Sequence, residues 1–263
     1  MKQNKTRLVG ERITFTVNGA KLLDDVNFEI EDGSFTGLIG PNGCGKTTLL
    51  KTVYRYYRPD RGAVYLDGDD IHRLRPKLAA QKMAALPQEN TIVFDFPVME
   101  MVMMARFAKS KFLKTGGGED TAVCENSLKR LGLYEMRDRN FLSLSGGEKQ
   151  RALLASVLAQ ETKFIILDEP ANHLDIGQQI LIMDAVKRLE ETTVFASIHD
   201  LNLAARCCDN ILAMKAGRII ASGPPEKVLT PALIRELFQV DARIDRDPET
   251  SRLHIRYVGH AGG

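Results

Sequence analysis

Gly40-Pro41-Asn42-Gly43-Cys44-Gly45-Lys46-Thr47 fits Gly-x-x-x-x-Gly-Lys-Thr, a loop that wraps backbone N–H groups around a polyphosphate and adds the charge of one lysine. It follows an apolar stretch, Phe35 to Ile39, and opens a helix-like run, Thr47 to Val53, the strand, loop and helix order that the motif requires. A helix N-terminus offers donors with no intrahelical partner and the positive end of a dipole, so phosphate is stabilised there without a dedicated side chain. Gly43 and Gly45 let the backbone come close. Lys46 is expected to span the β- and γ-phosphates of a bound nucleotide, and the Thr47 hydroxyl to ligate Mg²⁺. Gly40 to Thr48, including Pro41, Asn42 and Thr48, form the expected cradle. Cys44 lies inside it, beside Lys46 and a helix N-terminus. That setting predicts a lowered thiol pKa, inhibition by alkylation and protection by bound nucleotide.

Working outward, 263 residues suffice for one large domain or a core with a smaller insertion. A formal net charge of +2 is too near zero for nucleic acid or an anionic membrane surface to be the main partner. No stretch approaches the roughly 20 apolar residues that cross a bilayer. Met1 to Gly10 has charges but lacks the apolar core of a secretory signal. A soluble, cytosolic chain is the expectation. Cys44, Cys124, Cys207 and Cys208 have neither Cys-x-x-Cys spacing nor a histidine cluster beside them, so reduced thiols are expected rather than a metal site or disulfides.

A second phosphate-facing element reads from Leu144-Ser145-Gly146-Gly147-Glu148-Lys149-Gln150-Arg151, ahead of the apolar helical run Ala152 to Leu158. Ser145 and Glu148 have the spacing of a capping box. A cap alone leaves two glycines unexplained, each of which costs a helix up to about 1 kcal/mol relative to alanine. Glycine suits a backbone that touches a ligand.

A third element, Lys163-Phe164-Ile165-Ile166-Leu167-Asp168-Glu169-Pro170, is a continuous apolar run suited to a strand buried on both faces of a parallel sheet. Its two acids fall at the carboxyl end, where ligands gather in open α/β sheets and where the phosphate loop also opens. Alternation sends the pair opposite ways, so Asp168 is expected to hold hydrated Mg²⁺ and Glu169 to orient the attacking water. Thr192 to Ile198 reads as another buried strand, ending at His199-Asp200 before a helical pattern, Leu201 to Cys208. His199 there is a candidate γ-phosphate sensor.

In order and spacing, the phosphate loop, Gln88 in Leu86-Pro87-Gln88, the Leu-Ser-Gly-Gly-Glu-Lys-Gln-Arg segment, Asp168-Glu169, Asn172-His173-Leu174-Asp175 and His199 resemble the ATP-binding cassette ATPases. The resemblance covers nearly the whole chain. It implies an α/β P-loop NTPase core with a mixed, mainly parallel sheet, an N-terminal antiparallel β subdomain and an inserted α-helical subdomain. The corresponding division is residues 1–87 and 144–222 as catalytic core, 88–143 as helical subdomain and 223–263 as C-terminal helix and tail. Gln88 looks like the glutamine that touches the metal and links nucleotide to the helical part, and Asp175 like the aspartate of the D-loop. Ser145, Gly146 and Gly147 match the signature that contacts the γ-phosphate of nucleotide held by the other subunit. A homodimer is therefore implied, and a monomer should be nearly inactive.

The family usually stacks adenine on an aromatic residue. Here the register of Lys21 to Val26 puts Val17 at that place, with Phe15 on the same strand face as a substitute or as plain core. Met99, Met101, Met103 and Met104 crowd one segment, either as core or as a groove for a partner's short coupling helix. Arg106, Lys109, Lys111 and Lys114 read as a solvated helix face, and Gly116-Gly117-Gly118 as a flexible loop before a helix from Thr121 to Leu131.

Phe94-Asp95-Phe96-Pro97-Val98 and the tail from Gly217 through Gly223-Pro224-Pro225-Glu226-Lys227-Val228-Leu229 look like the subgroup serving importers of ferric siderophores, haem and cobalamin. This implies ATP and Mg²⁺ as cofactors, transmembrane permease subunits and an extracytoplasmic substrate-binding protein as partners, no nucleic acid, and a peripheral position on the cytoplasmic face of the membrane. A rival reading, a cassette ATPase acting on nucleic acid or ribosomes, lacks the long coiled-coil insertion or second cassette that those members carry.

Overall fold

A computed structural model describes residues 6–88, 95–109, 118–172 and 174–261. The chain divides into two compact units, Met1–Leu74 with Thr193–Gly263, and Arg75–Thr192.

In the first unit, β1 (Thr6–Val17) and β2 (Ala20–Glu31) form an antiparallel hairpin. Its turn, Asn18-Gly19, takes left-handed φ of 49° and 81°, the conformation that Asn-Gly hairpin turns favour. β3 (Phe35–Ile39) is buried along its whole length and leads through the phosphate loop into α1 (Lys46–Val53). β4 (Arg61–Leu66) and β5 (Asp69–Asp70) complete an antiparallel sheet in the order β2-β1-β4-β5.

The second unit starts with α2 (Pro76–Lys82), whose first position is the proline that helix starts tolerate, and β6 (Met83–Leu86). It continues with α3 (Val98–Met104), a 3-10 turn (Ala105–Ala108), α4 (Gly118–Arg130) and α5 (Gly146–Ala159). β7 (Phe164–Asp168) and α6 (Ile176–Lys187) close it. α4 carries Glu119 and Asp120 in its first turn and Lys129 and Arg130 in its last, matching the helix dipole at both ends. β7, fully buried, pairs in parallel with β6, Leu86 opposite Leu167.

The chain returns to the first unit with β8 (Thr193–Ser197), α7 (Leu201–Cys207), β9 (Asn210–Lys215) and β10 (Arg218–Gly223). α8 (Pro225–Val228), α9 (Pro231–Phe238) and a terminal hairpin of β11 (Val240–Arg246) and β12 (Leu253–His260) follow. β3 lies between β8 and β9, parallel to both, and β10 is antiparallel to β9. The expected α/β class, with mainly parallel pairing, an N-terminal antiparallel sheet and helices, is what the chain adopts.

Two readings of the methionine-rich segment change. Arg106 is not on a solvated face: it is buried, its Nε donating to Asp120 at 2.7 Å and its Nη1 to the Ala159 carbonyl at 2.7 Å and Glu161 at 2.8 Å. The buried guanidinium is stable because two carboxylates and a helix-end carbonyl replace its water, and those anions hold its pKa above the ordinary value despite burial. The methionines divide between both alternatives, Met101 facing the core at 8% exposure and Met104 facing solvent at 52%. The helix placed at Thr121 starts three residues earlier, at Gly118. Lys111, Lys114, Gly116, Gly117 and Phe94 lie outside the described residues.

Replacing Arg106 with Ala strands Asp120 and the Ala159 carbonyl. Because Glu161 is half-exposed, the expected loss is about 2–3 kcal/mol, below the range for breaking a fully buried pair. Urea denaturation measures it, and a midpoint equal to the wild type would refute the strut.

Candidate functional site

In the first unit the phosphate loop is shaped by its own neighbours. Gly40 has φ 155° and Gly45 φ 109°, values that favour glycine. A Cβ on Gly40 would run into the Met214 carbonyl, and one on Gly45 would lie 2.7 Å from the Leu22 carbonyl. Backbone is thus pressed against backbone, leaving the outer surface of the loop to a ligand. Lys46 is buried, its Nζ donating to the Gly40 carbonyl at 2.8 Å and the Pro41 carbonyl at 3.1 Å. These loop carbonyls hold the ammonium at the centre of the curl. Asn42 and Gly43 are exposed at its tip, Pro41 is half-buried, and Thr47 and Thr48 sit part-buried in the first turn of α1.

His199 is reached along β8. The register pairs Leu38 with Ser197, and Ile198 N donates to the Leu38 carbonyl at 3.1 Å. Gly40 and His199 therefore leave the carboxyl ends of adjacent parallel strands, each two residues past a paired position. His199 is exposed, and Asp200 after it caps α7 by accepting from Leu203 N at 2.9 Å.

The second unit repeats this layout. Gln88 and Glu169 stand two residues beyond the Leu86–Leu167 pair, and Gln88 Nε2 donates to Glu169 Oε2 at 2.8 Å. Asn172 Nδ2 donates to the same oxygen at 2.8 Å. Glu169 holds a left-handed φ of 53°, a conformation that costs a non-glycine residue about 1–3 kcal/mol and is concentrated at functional positions. Asp168, its neighbour, is fully buried. Gln150 of α5 reaches the Pro170 carbonyl at 3.0 Å, joining the helix behind the glycine pair to the turn that carries Glu169. Composition and motif spacing passed over Asn172 and Gln150 as site residues. Their signal was their place inside the two motifs.

At the start of α5 the capping box is present: Ser145 N donates to Glu148 Oε2 at 2.8 Å and Glu148 N to Ser145 Oγ at 3.4 Å. The bonds from Ser145 hold the Glu148 carboxyl below the usual range. The box accounts for Ser145 and Glu148 but not for the glycines. A Cβ on Gly146 meets nothing within 4 Å, and one on Gly147 only ordinary contacts at 3.7 Å. Packing within this chain does not require either. Asp175 caps α6, accepting from Gln178 N at 2.9 Å; His173 lies outside the described residues.

Of the adenine candidates, Val17 is exposed and Phe15 already stacks on Tyr57, ring centroids 4.8 Å apart. Tyr56 packs edge-on against Tyr57, with the Lys51 ammonium over both rings. Phe15 thus belongs to an aromatic cluster of the protein's own.

Cys44 reverses its expectation. Burial raises its thiol pKa, outweighing the Lys46 charge and the backbone bonds that favour thiolate, because desolvating an anion costs more than one neighbouring cation returns. All four cysteines are buried free thiols.

A family model described as ABC transporter matches residues 23–172. The chain is 40% identical over 240 residues to a cobalamin import ATP-binding protein, BtuD, of Halobacterium salinarum, covering 90% of this chain but 60% of that relative's length. It is 38% identical to the petrobactin import ATP-binding protein FpuD of Bacillus anthracis, covering 90% and 88% of the two chains. A chain of a metal-chelate type ABC transporter solved in an inward-facing conformation superposes with a TM-score of 0.80 at 25% identity, covering 96% of this chain and 97% of that one.

A raised pKa leaves Cys44 with less thiolate at neutral pH than an ordinary cysteine. Iodoacetamide at pH 7.5 should modify the Cys44 peptide several-fold more slowly than a model thiol, with a rate that keeps rising with pH beyond about 8.5, where an ordinary thiol begins to level off. Mass spectrometry reads it, and rapid labelling at pH 7 would show that burial does not control this thiol.

Proposed function

The chain belongs to the ABC transporter family, and on that premise we propose that it is the ATP-hydrolysing subunit of an importer for ferric siderophore, haem or cobalamin. It works as a homodimer beneath two transmembrane permease subunits, on the cytoplasmic face of the membrane, with an extracytoplasmic protein delivering cargo. The observation that carries the hydrolytic part is the Glu169 carboxylate held by two carboxamides, from Gln88 and Asn172. The cargo class rests on the roles of the relatives, import of cobalamin and of petrobactin.

The residues fit the groups this reaction needs. The loop from Gly40 to Thr48 offers backbone amides, the Lys46 ammonium and a helix start, which suit a triphosphate. Thr47, Gln88 and Asp168 offer oxygen donors, which suit Mg²⁺. When bound, the ion neutralises charge on the phosphoryl oxygens. Lys46 and His199 place positive or hydrogen-bonding groups against the γ-phosphate, while Glu169 orients the attacking water and takes up its proton. The open glycine pair of α5, with Ser145, is assigned to nucleotide held by a second copy, and Asp175 to the same junction. Catalysis of this kind is mostly positioning, and a monomer that lacks the second helix start has little to offer.

The second unit also bears an apolar surface. Leu78, Met104 and Phe107 are exposed, Phe107 at 85%, and Gln81 ties α2 to the 3-10 turn by donating to the Ala108 carbonyl at 3.1 Å. Apolar side chains at this level of exposure suit a partner's short helix, and this face is assigned to the permease.

Glu169→Gln keeps the size and removes the base. ATP binding should persist, turnover should fall about a hundredfold or more, and light scattering should show an ATP-dependent dimer. Wild-type phosphate release from that variant would remove Glu169 from the role given to it.

A further inference from the structure

The C-terminal hairpin is fastened to the turn that carries His199. Asn202, in the first turn of α7, behaves as a short piece of peptide: its Oδ1 accepts from Ile255 N at 2.7 Å and its Nδ2 donates to the Ile255 carbonyl at 3.2 Å. Both backbone groups of one β12 residue are satisfied by one side chain, and only a carboxamide offers donor and acceptor together in that way. Ile255 itself is buried at 2% exposure, so the clamp is anchored in the core of this unit. Leu201, Asn202 and Asp200 follow His199 directly. Hence β12 grips the helix start within three residues of the histidine, while on its other side β3 holds Ile198, whose N–H donates to the Leu38 carbonyl.

The catalytic reading uses none of this. The stability of the unit does not call for a paired side chain at position 202 either, since Leu201, Ala204 and Cys207 already bury the inner face of α7. A side chain that satisfies two backbone groups of a remote strand restricts rotation and sliding of the helix start. That is the motion by which His199 would leave the phosphate.

We propose that Asn202 is a positioning residue: it holds the His199-Asp200 turn against the C-terminal hairpin, so that the hairpin sets the pose of the histidine during hydrolysis. The inference rests on the reading of His199 as the residue that meets the γ-phosphate. It gives residues 240–260 a catalytic purpose, exerted through a contact and not through substrate.

The test is a kinetic cycle on the purified protein. Asn202→Ala, Asn202→Asp, His199→Ala and the two double variants are assayed for kcat, for KM with ATP in the presence of Mg²⁺, and for thermal midpoint. Asn202→Ala should lower kcat about tenfold with KM within about twofold, and should have no further effect once His199 is Ala, because coupled residues are non-additive. Asn202→Asp, which keeps the size but cannot donate to the Ile255 carbonyl, should lower kcat in the same direction and also fall silent without His199. Equal proportional losses with and without His199, or wild-type kcat in Asn202→Ala beside an inactive His199→Ala, would overturn the inference alone. Wild-type turnover in His199→Ala would instead overturn the site reading beneath it.

Discussion

The pairing of β3 with β8 is the constraint from which the placement of the phosphate loop and His199 in the first unit follows. Parallel strands bring like ends together, so a loop after one strand and a turn after the next emerge on one edge. Leu38 opposite Ser197, closed by Ile198 N to the Leu38 carbonyl, puts Gly40 and His199 out of the sheet at equal height. A slip of one residue would turn every side chain of the strand over, and both strands are buried throughout, so the register has no tolerance. The phosphate loop then has one way to turn: Gly40 against Met214, Gly45 against Leu22. Its curvature is set by neighbouring backbone before any ligand arrives.

Much of this was legible in the sequence because the signals are local. The loop motif, the buried strands read at Phe35 to Ile39, Lys163 to Pro170 and Thr192 to Ile198, and the Ser145–Glu148 box each lie within a span of eight residues, and the strand and helix bounds agree to within a residue or two at most of these places. What could not be read is tertiary. Arg106 looks like one more cation in a basic run until Asp120 and Glu161, 14 and 55 residues away, surround it. Cys44 has the neighbours of a reactive thiol, and only the depth of its burial, which no spacing reveals, reverses the shift. Phe15 is an aromatic on the expected strand face, but Tyr57 occupies it.

The polar groups that organise both units have a common chemistry. Gln88 and Asn172 meet Glu169, Gln150 meets the Pro170 carbonyl, and Asn202 meets Ile255. All four are carboxamides. A lysine or arginine in place of Gln88 would bind the carboxylate more strongly, but it would stabilise the ionised form and lower its basicity. A neutral donor fixes direction without spending the charge. Glu169 is thereby held in a left-handed backbone and a set orientation by neutral donors.

The same preference has a mechanical side. A cation facing a carboxylate holds over several ångströms and many angles, whereas a carboxamide bond weakens steeply once distance or alignment is lost. Contacts of this type release after a small displacement, and they carry no long-range attraction that would resist it. That suits turns which must hold a nucleotide in one stage of a cycle and let its products go in the next. Arg106 stands at the other extreme, a buried guanidinium tied to two acids and a carbonyl, where the second unit joins its methionine-rich segment to the end of α5. Charge is used where the chain must stay together, and neutral amide where it must both align and let go.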